Sequence, residues 1–99
     1  MLVLSLLLAA CSGASDDTAS ALVGDATAGA ALYTTNCSSC HGADGEGVSG
    51  PAMAEIASEF DDAGVEDAIV NGTDGGMPAF PSLTAQDVAD LVAYVRSFE

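Results

Sequence analysis

The sequence predicts an all-α domain of three to five short helices wrapped around something larger than its own side chains. Three observations point there. Apolar residues recur at helical spacing, most clearly Val88, Leu91, Val92 and Val95. No stretch alternates like a strand between hairpin turns, and there is no internal repeat. Much of the apolar content is small: the 99 residues include 19 alanines, and aromatic bulk is confined to Tyr33, Phe60, Phe80, Tyr94 and Phe98. So thin a core in so short a chain needs a disulfide, a metal or a large buried group to offset the conformational entropy of folding.

The chain divides into three parts. Residues 1–10 form an apolar run too short to span a bilayer, with the shape of a secretory signal segment. Leu8-Ala9-Ala10-Cys11 resembles the lipobox of bacterial lipoproteins, in which the cysteine is lipidated and becomes the new N-terminus. That resemblance implies lipidation at Cys11 and a periplasmic, membrane-anchored protein, with Ser12 favouring the outer membrane. No Lys or Arg precedes the apolar run, which departs from the usual pattern. Residues 11–23, rich in Ser, Ala, Gly, Thr and Asp, offer too little apolar surface to pack and suit a flexible tether. The folded domain is expected over residues 24–99.

Within that domain, Asp25 is placed to cap a first helix running to Asn36, with Ala26, Gly29, Ala30 and Tyr33 on one face. Gly29 is small enough to let another helix approach closely. Four glycines between His41 and Pro51 mark a loop. Short helices are expected over 52–59 and 62–71, the second closed by Gly72. A second loop, 72–81, holds three glycines and two prolines. Thr84, with Asp87 three residues on, opens the final helix.

Charge narrows the function. Fifteen acidic residues face a single basic one, Arg96, for a formal net charge of −14. Nucleic acid is excluded as a partner, because phosphate binding depends on Lys and Arg displacing counterions. A bare anionic lipid surface is excluded on the same ground. Two readings of the acid remain: solubility or adaptation to high salt, or steering toward redox partners with basic docking surfaces. Arg96 sits in the last turn of its helix, where a cation is favourable in any case.

The chemistry lies in Cys37-Ser38-Ser39-Cys40-His41, the attachment pattern for c-type haem. Thiols three residues apart share one helical turn and can add to two vinyl groups of one porphyrin. The next residue, His41, then lies where its imidazole can bind the iron. A dithiol oxidoreductase uses the same Cys-x-x-Cys but places it after a strand. A zinc site needs a fourth ligand, and the remaining cysteine, Cys11, lies in the tether. A disulfide between Cys37 and Cys40 closes too small a loop to stabilise much. Covalent haem c also answers the thin core, since it supplies a large apolar plate.

From Gly24 to Phe98 the chain resembles the small class I cytochromes c. Gly24-Asp25 with Gly29, Leu32 and Tyr33 resembles that family's first helix, and Leu91 to Tyr94 its last, with Tyr94 packed near Gly29. His41-Gly42 and Gly50-Pro51 resemble its proximal loop. Asn71-Gly72 with Gly76-Met77-Pro78-Ala79-Phe80 resembles its distal loop. The resemblance implies one haem held through Cys37 and Cys40, with His41 and Met77 as axial iron ligands. Pro51 then orients His41 by accepting a hydrogen bond from the other ring nitrogen. The chain lacks the tryptophan or basic side chain with which the family often holds its haem propionates, so Asn71, a tyrosine hydroxyl or backbone amides must substitute. Met53, two residues past Pro51, is a second candidate sulfur, whose plainer reading is an apolar filler.

A haem with both axial positions taken suits outer-sphere electron transfer, which makes a one-electron carrier, not an enzyme, the leading expectation. The alternative is an enzyme subunit, either a peroxidase or the electron-entry piece of a periplasmic dehydrogenase or reductase. Carbon monoxide discriminates between them, because only an open site binds it readily.

Overall fold

The computed structural model describes residues 22–99, so the expected signal segment at 1–10, the lipidation site Cys11 and all but the end of the tether lie outside the described residues. Five helices follow in order: α1 Ala26–Asn36, α2 Ser38–His41, α3 Met53–Glu59, α4 Asp62–Asn71 and α5 Ala85–Arg96. Among the described residues there is no strand, so the fold is all-helical, as the periodicity predicts.

Each longer helix starts on a local signal. The Asp25 carboxylate accepts from the Thr27 and Ala28 amides at 2.9 and 3.4 Å, satisfying donors that the first turn of α1 leaves open. Asp61 does the same for α4 through the Gly64 amide at 2.9 Å. Thr84 and Asp87 form a reciprocal capping box, with both hydrogen bonds at 3.0 Å. At the other end of α4, Gly72 takes φ 76°, a left-handed value that glycine adopts without strain.

The terminal helices α1 and α5 cross at closest range, and glycine makes the crossing possible. A Cβ on Gly29 would collide with the Asp90 carbonyl oxygen of α5 and come within 2.9 Å of Tyr94 Cβ. Gly24 meets the Ala89 carbonyl in the same way. Beside this contact the Tyr33 and Tyr94 rings lie 4.9 Å apart, and Phe98 meets Tyr94 edge to face at 5.1 Å. Val88, Leu91, Val92 and Val95 carry the buried face of α5, against which Val65 and Ile69 of α4 and Met53 and Ala57 of α3 pack.

Two polar ties join segments far apart in sequence. The buried Asp90 carboxylate of α5 accepts from the Asp25 amide at 2.8 Å and from Gln86 Nε2 at 2.9 Å. Gln86 also donates to the Val23 carbonyl at 2.9 Å, so the entry to α1 is fastened to α5. Arg96 does more than complement its helix dipole. Its guanidinium donates to the carbonyls of Ala57, at 2.8 Å, and Phe60, and pairs with Asp62 at 2.8 Å. The only basic residue in the chain thereby closes the C-terminal end of α3 and fixes the α3–α4 turn on α5.

Candidate cofactor site

The chain leaves α1 and rewinds at once. The Cys37 amide still reaches the Tyr33 carbonyl at 2.8 Å, while the Cys40 and His41 amides return to the Cys37 carbonyl at 3.2 and 3.0 Å. Cys37 to His41 is thus one compact turn, with the two cysteines three residues apart in it. Cys37 is half-buried against the core and Cys40 is exposed, and the two are not joined to each other. Burial, and then the neighbouring Cys40, push the Cys37 thiol up to about 11. A dithiol oxidoreductase needs the opposite shift, because its nucleophile is the thiolate.

His41 is 7 % exposed, and its ring is fixed from one side. Nδ1 lies 2.8 Å from the Pro51 carbonyl oxygen. A carbonyl only accepts, so Nδ1 carries the hydrogen and Nε2 keeps a free lone pair. The loop between the two residues is held by the Gly47 amide on the His41 carbonyl and the Gly50 amide on the Cys40 carbonyl, both at 2.7 Å. Gly50 lies flat against the imidazole, where a Cβ would fall 2.7 Å from the ring. Tyr33 secures the far end of the turn, donating its hydroxyl to the Gly42 carbonyl at 2.6 Å. Desolvation by burial, with smaller contributions from Tyr94, Cys37, Glu46 and Asp44, pushes that phenol up to about 12.

The two candidate sulfurs sit in different surroundings. Met53 is 4 % exposed within the core, so close to Gly45 that a Cβ there would come 2.8 Å from its Cγ and 2.9 Å from the Phe98 ring. It fills space beneath the proximal loop. Met77 lies on the 72–80 loop, half-buried against the core as Phe80 and Leu83 also are. Two of the groups considered for the propionates are engaged elsewhere: Asn71 Nδ2 donates to Asp67 at 2.7 Å, and the Tyr33 hydroxyl donates to Gly42.

These residues fit a covalently bound haem: two thiols on one turn, an imidazole of fixed tautomer with a free nitrogen, and a glycine that gives the ring room. The sequence matches the family model described as cytochrome C oxidase, cbb3-type, subunit III, over residues 24–95. This chain is a class I c-type cytochrome. It is 44 % identical over 81 residues to cytochrome c-551 of Bacillus subtilis (strain 168), covering 76 % of this chain and 70 % of that protein. Among solved structures it resembles the KustC0563 c-type cytochrome, with a TM-score of 0.64 and 31 % identity over 72 % of this chain and 96 % of that one. Cytochrome c6 of the diatom Phaeodactylum tricornutum gives 0.63 and 28 %, covering 75 % and 93 %. The cytochrome therefore binds haem c covalently and belongs among electron carriers.

Three side chains take roles that the sequence did not assign to them. Asp90 looks like one more surface acid, and only Gln86, four residues before it, hints at a partner. The Tyr33 hydroxyl has no local motif. Thr73 is an ordinary loop residue until its hydroxyl accepts from the Met77 amide at 3.3 Å. Among the described residues no helix is long and apolar enough to cross a membrane.

Proposed function

We propose that this cytochrome is a one-electron carrier with a single haem c, joined through Cys37 and Cys40 and ligated axially by His41 and Met77. The observation that carries the His41 assignment is the 2.8 Å contact from His41 Nδ1 to the Pro51 carbonyl, which leaves Nε2 free for the iron. Bound haem supplies a ferric–ferrous couple, and the protein's work is to hold its ligands still while charge changes. Pro51 and Gly50 set the imidazole plane, and the hydrogen bond raises its basicity. Tyr33 ties α1 to the residue after His41, so the attachment turn moves with the core. With two axial side chains in place the chain performs no substrate chemistry and acts as a carrier rather than an enzyme.

In this reading Cys11 is lipidated and residues 11–23 tether the domain in the periplasm, at the outer membrane. The acidic chain then meets redox partners through their basic surfaces. The family description names an oxidase subunit, which supports a second reading in which the same domain is the electron-entry piece of such an enzyme.

The test is spectroscopic. Protein exported with haem-maturation machinery should keep its colour through denaturation and acid extraction, because thioether bonds are covalent. It should also resist carbon monoxide when reduced. A denatured band without haem would remove the attachment, and ready binding of carbon monoxide would remove the sixth ligand. Partitioning with membranes by the wild type, lost in Cys11→Ser, checks the anchor.

A further inference from the structure

The 72–80 loop closes on a single side chain. The Thr73 hydroxyl accepts from the Met77 amide at 3.3 Å, and the Thr73 amide donates to the Met77 carbonyl at 2.9 Å. The Gly76 amide returns to the Thr73 carbonyl at 3.3 Å, making residues 73–76 a turn. Both backbone polar groups of Met77 thus end on one residue. The base of the loop is fixed separately. The Phe80 amide donates to the Ile69 carbonyl of α4 at 3.0 Å, and at Gly72 a Cβ would fall 2.7 Å from the Met77 carbonyl oxygen. Between these fixed points, the Thr73 hydroxyl is the only side-chain group that holds the amide side of Met77 among the described residues.

We infer that Thr73 is a positioning residue for the Met77 thioether: it acts through the Met77 backbone and sets how readily an external ligand displaces the sulfur. The inference rests on the assignment of Met77 as an axial ligand. A hydroxyl that orders the ligand's own amide reduces the conformational freedom that the loop gains when the sulfur leaves, and so favours the ligated state. Loss of one exposed neutral hydrogen bond corresponds to a change of roughly fivefold in an equilibrium of this kind.

The test uses haem-loaded wild type, Thr73→Val, Thr73→Ser and Met77→Ala, with inorganic cyanide and imidazole as probes of the ferric protein. Valine keeps the shape of threonine without its hydroxyl, and serine keeps the hydroxyl. Thr73→Val should bind imidazole and cyanide roughly fivefold more tightly than wild type, and Thr73→Ser should stay near wild type. The thermal midpoint is read in parallel, so that a general loss of fold can be told from a local one. Wild-type affinity in Thr73→Val, or equal tightening in Val and Ser, overturns the role of Thr73 and leaves the ligand assignment standing. A sulfur-to-iron absorption band that survives Met77→Ala overturns both. If Thr73→Val does not fold, the decision passes to the wild-type Met77 amide, whose hydrogen exchange should be slow. Exchange as fast as that of an open loop would overturn the inference.

Discussion

At the scale of single residues, Tyr33 links the stability of the core to the attachment turn. It is 2 % exposed, and its hydroxyl donates 2.6 Å to the Gly42 carbonyl. Tyr33→Phe keeps the ring and removes the bond, leaving the Gly42 carbonyl only the Gly45 amide at 3.1 Å. The expected loss is about 1 kcal/mol in denaturant titration. The phenol also gives a pH signature. Its folded value, pushed up to about 12 from 10.0, exceeds that of the unfolded chain, so above pH 10 the unfolded state loses this proton first. Its contribution is therefore full below pH 10 and lost progressively toward pH 12. Tyr33→Phe should lack that alkaline loss, and an equal loss in both proteins would assign it to another group. The methionines offer a second contrast. Met77→Ala should abolish the weak sulfur-to-iron absorption of the oxidised protein and admit carbon monoxide to the reduced one. Met53→Leu should leave both properties unchanged at a packing loss of roughly 1 kcal/mol.

At the scale of elements, the α1–α5 crossing is the contact least able to give way. A Cβ at Gly29 meets the backbone of Asp90, which cannot rotate aside as a flexible side chain would. Gly29→Ala should therefore push the helices apart and cost about 3 kcal/mol or more. Gly75 is the control, since a Cβ there meets only Thr73 Oγ1 at an ordinary 3.7 Å. Gly75→Ala should fall within about 0.5 kcal/mol of wild type. Thermal unfolding of both variants checks the pair, and similar losses would mean that helix approach is not what Gly29 provides. Arg96→Met tests the α3–α4 turn. It keeps much of the side-chain length but strips donors from the Ala57 and Phe60 carbonyls, and about 2 kcal/mol should be lost. Hydrogen exchange should quicken most at the end of α3 and the start of α4.

For the whole molecule, charge dominates: a formal net −14 with one basic residue, itself held by Asp62 and Glu99. At low salt such a field reaches well beyond contact distance, and it is cut to about 10 Å at 0.1 M. Electron transfer with a basic partner protein should slow steadily as salt rises, as stopped-flow measurement would show. Rates flat or rising with salt would leave the carboxylates to solvation in a saline medium.

What the sequence determined by itself is local or covalent. Helix starts at Asp25 and Thr84 and the stop at Gly72 depend on neighbours within four residues, so their signals survive without a fold. The Cys37-to-His41 spacing is likewise a property of one turn. A close helix approach was legible in Gly29, because only a packed backbone makes a bare Cα useful at that point, while family likeness named the last helix as the one that approaches. Pro51 as the partner of His41 came through family likeness, since ten residues of glycine-rich loop allow many closures. Tertiary structure alone decided the rest. Asp90 holds a backbone amide 65 positions away, and Arg96 holds a carbonyl 39 positions away. Periodicity assigns such residues only to a face of a helix. Their hydrogen bonds exist because the packed helices bring these partners within reach of polar groups that burial, full at Asp90 and partial at Arg96, takes out of water.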